Sequence, residues 1–297
     1  MTKILIDESS NETLEKGVSL WKDAYRRLLN NKMAMAGASL LLLELLVAML
    51  TPWIAPYPFE LQNLENALAE PSMLHFFGTD NLGRDVFTRV LYGGRISMMV
   101  GLLASLVSVG VGVLYGAAAG FFGGRTDNLM MRVVDIMYAI PFLFLVIILM
   151  VFFGRNFILL FIALGLTQWL TMARIVRGQV MTLKQKEFIQ AARVMGVAPV
   201  KILMRHLIPN SLGPVIVYLT LTIPTVILEE AFLSFLGLGV QPPMASWGTL
   251  IAEGVEVMEI AWWNLIAPAI FLSLTLFSLN FLGDGLRDAL DPKGAKD

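Results

Sequence analysis

The sequence predicts an all-α integral membrane protein with six transmembrane helices, and three observations support this. Hydrophobic residues make up 57% of the 297 residues and charged residues only 15%, whereas about 25% of the residues in a soluble domain are charged. Six stretches are apolar and close to the ~20 residues that cross a bilayer as a helix. Lysine and arginine are concentrated in alternate connecting segments, a pattern typical of multi-pass membrane proteins.

Composition also excludes several classes of protein. The net charge is −1 and no basic segment stands out, which argues against nucleic-acid binding. The absence of cysteine excludes disulfide frameworks, thiolate metal sites and cysteine nucleophiles. The high apolar content excludes a disordered chain.

The predicted spans are residues 33–54, 96–122, 136–153, 157–173, 212–228 and 261–282. A 32-residue polar segment precedes the first span and no small-residue cleavage pattern follows it, so we expect a retained helix rather than a cleaved signal. Only residues 154–156 separate the third span from the fourth. That spacing predicts a tight helical hairpin.

The positive charges predict that both termini lie in the cytosol. Of the 22 lysines and arginines, 18 fall in residues 1–32, 123–132, 174–211 and 283–297. Cytoplasmic segments carry the excess of positive residues. The predicted organisation has three parts: a cytosolic segment (1–32), a transmembrane domain (33–283) and a cytosolic tail (284–297). Within the transmembrane domain, the loops at 55–95 and 234–260 are predicted to be external and the loop at 174–211 cytosolic.

The end of the N-terminal segment predicts an amphipathic helix over residues 18–30. Its apolar positions recur at helical spacing beside Lys22, Arg26 and Arg27. This pattern suits a helix lying on an anionic inner leaflet. Membrane lipid is therefore an expected partner.

The sequence lacks the motifs of an enzyme. His75 and His206 lie on opposite sides of the membrane in this topology, so they cannot share a metal or a catalytic triad. Residues 78–85 have the glycine spacing of a phosphate loop but lack the Lys and Ser/Thr that bind phosphate and magnesium. We interpret this segment as a turn-rich loop. No catalytic residue, metal site or cofactor is expected in this chain.

Three carboxylates are candidates for a translocation path. Glu44 lies midway along the first span, and Glu229 and Glu230 lie at the outer end of the fifth. A charge at the bilayer centre costs on the order of 2.5–3.5 kcal/mol, so such groups face protein or water. For Glu44 we favour an interhelical hydrogen bond. Glu229 and Glu230 are about 100° apart on a helix, which leaves open which of them faces a water-filled path.

Glycines and prolines predict how the spans pack and bend. Gly112, Gly116 and Gly120 recur every four residues in the second span, a spacing that lets two helices approach closely. Pro141 and Pro224 lie inside the third and fifth spans and are expected to bend or open them.

The cytosolic loop between the fourth and fifth spans predicts a helix–turn–helix. Its first helix covers residues 187–195, and Gly196 suits the left-handed residue that ends a helix. Pro199 suits the first turn of a second helix over residues 200–208, which Pro209 is expected to stop. Such defined caps favour a rigid element that docks into a partner over a simple connection.

Several motifs resemble a known family. Gln190-Ala-Ala-x-x-x-Gly196, followed by Ile208-Pro209, resembles the EAA loop of ATP-binding-cassette importer permeases. Segments similar to the peptide/nickel branch of that family are residues 77–85, 122–128, 233–243 and 283–292. Residues 19–24 and 172–179 are most similar to the second permease subunit of oligopeptide importers.

This resemblance implies a type I importer permease fold with a cytosolic coupling helix, in the bacterial inner membrane. The implied partners are a second permease subunit, two cytosolic ATPases that hydrolyse the ATP, and an external binding protein that delivers an oligopeptide. The implied docking residues are Glu187, Gln190, Ala191, Ala192, Arg193, Gly196, Val197, Pro199, Lys201 and Arg205. The family's usual Glu is Gln190 here and its usual Ile is His206, so we expect docking by shape and apolar contact.

Two alternatives remain open. A dipeptide or nickel permease shares the motifs of this branch, although the 17 methionines are scattered rather than clustered as ligands. An autonomous ion-driven transporter would use Glu44 and Glu229 or Glu230, and would not need the cytosolic loop.

Overall fold

The computed structural model describes residues 20–154 and 157–290, which are almost entirely helical. The α-helices are α1 (Leu20–Asn30), α2 (Lys32–Ile54), α3 (Val86–Phe122), α4 (Gly124–Ala139), α5 (Phe142–Phe153), α6 (Phe157–Leu183), α7 (Glu187–Val194), α8 (Pro199–Ile202), α9 (Ile208–Asn210), α10 (Leu212–Phe235), α11 (Trp247–Glu256) and α12 (Trp263–Leu290). A 3-10 turn at Leu64–Asn66 and a π turn at Leu203–Leu207 join them.

Among the described residues, five helices are long and apolar enough to cross a bilayer: α2, α3, α6, α10 and α12. The pair α4 and α5 forms a sixth candidate, which is bent by 86°. This arrangement confirms the predicted all-helical membrane fold.

The third span departs from its prediction as one helix over residues 136–153. Ile140 and Pro141 are extended, so residues 136–139 finish α4 and α5 retains only 12 residues, about 18 Å of helix. The physical cause is Pro141, which has no N–H to continue the helix and disfavours a helical residue before it. Residues 124–132, expected within an inner connection, are the start of α4.

Several spans are longer than their predicted apolar cores, and α3 and α6 extend furthest beyond them. Helix α3 begins at Val86 rather than residue 96, because the Asp85 side chain accepts a 2.8 Å hydrogen bond from the Thr88 N–H and caps it. Helix α6 continues from the apolar run to Leu183. Hydropathy marks where a helix is apolar, whereas backbone hydrogen bonds and caps decide where it ends.

Helices α3 and α6 form the centre of the molecule, and the glycine ladder lies between them. A Cβ on Gly112 would come within 2.6 Å of an α6 side chain, and one on Gly120 within 2.8 Å of the Arg177 carbonyl oxygen. A Cβ on Gly116 would overlap the carbonyl oxygen of Ala173. The absence of side chains at these three positions allows the two backbones to touch.

Helix α12 packs against α2, α10 and α11, and α1 lies against its C-terminal end. The helix predicted over residues 18–30 is present from Leu20, and residues 18 and 19 lie outside the described part of the chain. Ala24 is buried, whereas Tyr25 and Leu29 are exposed. Helix α12 also runs through Leu290, so the segment expected as a tail begins as helix.

Candidate functional site

The loop between α6 and α10 turns at Gly196, which has a φ of +78°. The N–H of Val197 donates to the Ala192 carbonyl at 3.1 Å and the N–H of Gly196 to the Arg193 carbonyl at 3.0 Å. These bonds satisfy carbonyls at the end of α7. Pro199 then occupies the first turn of α8. The left-handed turn between two helices is thus where the sequence predicts it.

The second helix of the loop is not stopped by Pro209, which corrects the prediction. After α8 the chain widens into a π turn at Leu203–Leu207, in which the Ile208 N–H donates to the Leu203 carbonyl. It then continues through α9 into α10. A π turn displaces the usual i→i−4 bonds, and Pro209 has no N–H that requires one.

The loop has a buried side and an exposed side. Ile189, Ile202 and Leu207 are at most 2% exposed and pack in a cluster with α3 and α6 side chains. Val194 and Met195 are 90% and 74% exposed. The exposed members of the predicted docking set are Glu187, Gln190, Ala191, Arg193, Gly196, Pro199, Lys201 and Arg205, and Val197 is partly exposed.

Ala192 is the exception in that set. It is 4% exposed and belongs to the buried cluster, so its side chain cannot contact a partner protein. Residues 191 and 192 point about 100° apart on α7, which places Ala191 outward and Ala192 inward. Ala192 therefore positions the loop instead of docking it.

Two cationic side chains attach the base of this loop to the bundle. The Arg177 guanidinium donates to both carboxylate oxygens of Asp127, at 2.5 and 2.6 Å, and so ties α6 to α4. Lys184 donates to the carbonyls of Gly120 and Phe121, at 3.1 and 2.6 Å, and completes the C-terminus of α3. Burial and the nearby charge of Arg193 lower the pKa of Lys184. Sequence reasoning missed the Asp127–Arg177 pair, although the two residues lie in the motifs at 122–128 and 172–179.

Glu230 and Glu44 are packed between helices. Glu230 is fully buried and accepts from Ser234 at 2.6 Å and from Ser97 at 3.4 Å. Glu44 is 8% exposed and accepts from Thr275 of α12 at 2.9 Å, which is the interhelical bond favoured for it. Both carboxyl groups therefore join helices, and Glu230 is not the member of the adjacent pair that faces open space.

Glu229 has different surroundings. It lines a cavity of about 280 Å³ at the break between α4 and α5. The Gln168 side-chain amide donates to Glu229 Oε1 at 2.8 Å, while Glu229 Oε2 is buried without a hydrogen-bond partner among the described residues. Of the adjacent pair, Glu229 is the residue that faces an open space.

The loops predicted at 55–95 and 234–260 are joined by a charge network that sequence reasoning missed. Asp80 accepts from Arg84 and from Arg89, both at 2.6 Å, and Glu253 of α11 accepts from Arg89 at 2.5 Å. Asp80, Arg84 and Arg89 are buried. His75 lies beside Asp85, with 2.9 Å between Nδ1 and Oδ1. No sequence spacing could have indicated Glu253, because it is 164 residues from Arg89.

Comparison with known proteins gives two family matches. A family model described as "Binding-protein-dependent transport system inner membrane component" matches residues 112–296. A second model, "N-terminal TM domain of oligopeptide transport permease C", matches residues 19–71.

Individual relatives match over most of the chain. The oligopeptide transport system permease protein OppC of Haemophilus influenzae is 51% identical, covering 94% of this chain and 90% of that protein. OppC of Bacillus subtilis is 47% identical, with 94% and 92% covered. The dipeptide transport system permease protein DppC of B. subtilis is 47% identical, with 93% and 87% covered.

One solved structure shares the fold. It is an inward-facing conformation of the MetNI methionine ABC transporter, with a TM-score of 0.54 and 17% identity. The similarity covers 69% of this chain and 96% of that chain. At this identity the similarity concerns the fold alone.

Proposed function

This chain belongs to the family of binding-protein-dependent transport system inner membrane components, and on that premise we propose how it couples ATP hydrolysis by its partners to peptide import. It is an oligopeptide permease subunit of an ABC importer. Importers of this class assemble from permeases, ATPases and a substrate-binding protein. The proposal concerns which residues perform the coupling and on which side of the membrane they lie.

The cytosolic loop is the ATPase docking element in this proposal. The observation that carries it is the contrast between its two sides: Ile189 and Ile202 are buried in the bundle, while Val194 and Met195 are exposed. An exposed patch of contiguous apolar side chains commonly marks a protein interface, and Val194 and Met195 are adjacent in the chain and both exposed. A rigid loop fixed by buried side chains transmits force better than a flexible one, because the interior is densely packed and deforms little.

Movement of the docked loop reaches the membrane helices through its attachments. Lys184 holds the end of α3, and Arg177 holds the start of α4. Closure of the two ATPases would move the loops of both permeases, which then alternate between inward-facing and outward-facing states. This chain would supply half of the path and one docking element, while the ATP chemistry takes place in the partners.

The proposal includes an orientation. The loop at 174–211 and both termini face the cytosol, where positive residues are concentrated. The external side then carries the network of Asp80, Arg84, Arg89 and Glu253, which supports a stable surface on which a binding protein can release its peptide. Membrane lipid contacts the exposed face of α2, which is apolar.

Reconstitution tests this function. We expect the chain to co-purify with a second permease and two ATPases, and peptide-loaded binding protein to stimulate ATP hydrolysis and uptake in proteoliposomes. Uptake driven by a proton gradient without the ATPases would instead support an autonomous transporter. Competition between dipeptides and longer peptides in the same assay separates an oligopeptide from a dipeptide importer, which the DppC relative makes the second candidate.

A further inference from the structure

The cavity at Glu229 is lined by both apolar and polar side chains and lies between α4, α5, α6 and α10. Its wall includes Tyr138 and Pro141 at the α4–α5 break, Gln168 and Thr171 of α6, and Glu229 of α10. The Tyr138 and Thr171 hydroxyls are hydrogen-bonded to each other. By contrast, Glu44 lines a groove whose other walls are almost wholly apolar. Of these two cavities, the one at Glu229 offers polar partners to a polar ligand group.

Glu229 has a free acceptor and no internal cation. Within residues 20–154 and 157–290, no lysine or arginine forms an ion pair with it. Arg174 of α6 is paired with Asp135 at 2.8 Å, and its guanidinium lies 4.2 Å from the centre of the Tyr138 ring. A largely buried carboxyl oxygen without a partner is costly. Oε2 is enclosed by protein in this conformation, so a cation that enters the cavity would pair with it once the Glu229 carboxyl group rotates toward the open volume.

We propose that Glu229, positioned by Gln168, binds the N-terminal ammonium of the peptide as it passes through this subunit. This inference rests on the proposed function, since it identifies a substrate contact in the path. The ammonium would donate one hydrogen bond to Glu229 Oε2 and another to the side-chain oxygen of Gln168. A bond between an ionised donor and a carboxylate is about twice as strong as a neutral one.

Size and chemistry both favour a peptide end. The volume of about 280 Å³ is below the ~300–1,000 Å³ that encloses a whole drug-sized ligand, so one end of a peptide fits and the rest extends into the path. An importer that carries peptides of many sequences needs contacts to groups that all of them share. The terminal ammonium is such a group.

The site also lies at the end of a helix that the coupling loop can move. Helix α4 begins beside Asp127, which Arg177 of α6 holds, and it ends at Ala139 next to the cavity wall. A shift of α4 would change the position of Tyr138 relative to Glu229. Binding of the ammonium is thereby linked to the transport cycle, so the peptide is held in one state and released in another.

The first test compares Glu229→Gln with Glu44→Gln in the complete reconstituted importer. The Gln variant keeps an oxygen that accepts from Gln168, so the fold is preserved while the charge is lost. We expect Glu229→Gln to lower peptide uptake about tenfold, as the loss of a charge-assisted contact implies, with ATP hydrolysis stimulated by loaded binding protein changed less than about twofold. Glu44→Gln should change neither quantity by more than that factor. If the Glu229→Gln variant takes up peptide at the wild-type rate, this inference alone is overturned. If loaded binding protein does not stimulate ATP hydrolysis by the wild-type complex, the proposed function is overturned as well.

The second test locates the contact by photo-crosslinking. A lysine-free peptide with a diazirine side chain at its second residue is added to the permease–ATPase complex without the binding protein, whose own selectivity is thereby excluded. We expect crosslinks to α6 and α10 around Gln168 and Glu229, reduced about tenfold by Glu229→Gln or by N-acetylation of the peptide. Crosslinking of the acetylated peptide at the same level as the free peptide would overturn the inference. Restored crosslinking with an acetylated peptide that contains lysine would also overturn it, because the cavity would then bind side-chain ammonium groups.

Discussion

At the scale of single residues, the carboxyl groups of the spans differ by what contacts them. Glu230 accepts from Ser97 and Ser234, and Glu44 accepts from Thr275. Glu229 accepts from Gln168 and lies beside a cavity. Three glutamate carboxyl groups, all within spans, thus have different surroundings. The first two hold helices together, and the third lines a cavity.

A structural role for Glu230 predicts the effect of removing its side chain. Glu230→Ala leaves buried serine hydroxyls unpaired and opens a cavity, at a cost of about 2–4 kcal/mol in the free energy of unfolding. Thermal unfolding of the purified complex in detergent measures this loss. Glu230→Gln, which keeps an acceptor for Ser234, is the matched control and should unfold near the wild-type temperature. A stable Glu230→Ala complex with impaired uptake would show instead that this residue belongs to the path.

At the scale of helices, the contact between α3 and α6 depends on a position without a side chain. We expect Gly116→Leu to disrupt the bundle, because even its Cβ would overlap the Ala173 carbonyl oxygen of α6. Gly110 provides a control on the same helix, since a Cβ there meets no described atom within 4 Å. The measurement is the yield of monodisperse protein after detergent extraction. Equal yields of Gly116→Leu and Gly110→Leu would contradict the assigned packing.

The coupling loop gives a second prediction about an element. Gly196→Val places a β-branched residue at a φ of +78°, which costs on the order of 1–3 kcal/mol in local strain. No described atom lies within 4 Å of a Cβ there, so the effect comes from the backbone and not from a clash. We expect the variant to insert and pair with the second permease, while ATP hydrolysis is no longer stimulated by loaded binding protein.

The control for this variant is Gly196→Asn, since asparagine tolerates the left-handed conformation better than other residues with a side chain. It should retain most of the stimulation. Full stimulation with Val at this position would mean that the loop merely connects α6 to α10.

At the scale of the whole molecule, the orientation in the membrane determines which surface meets which partner. We expect a reporter fused after Pro58 to be external and one fused after Lys184 to be cytosolic, because positive residues are concentrated on the cytosolic side. Alkaline phosphatase and green fluorescent protein fusions measure the two locations. The opposite result would place the loop on the wrong side for ATPase docking and would remove the coupling assignment.

The architecture could be predicted from the sequence because its determinants are local. Apolar runs of sufficient length indicate spans, Gly196 and Pro199 indicate a turn between helices, and Pro141 indicates a bend. The motif at 190–196 identified the family, which the comparisons confirm. Each of these features is contained within a few consecutive residues, so no knowledge of the neighbouring helices is required.

The tertiary structure alone decided which of these residues face open space and which are buried. Adjacent helical residues point about 100° apart, so only the packing of α10 against its neighbours places Glu230 inside and Glu229 in a cavity. Ala192 is buried for the same reason. The pairing of Arg89 with Glu253 joins segments 164 residues apart. Contacts of this kind depend on how helices pack against one another in space, which no local pattern of residues records.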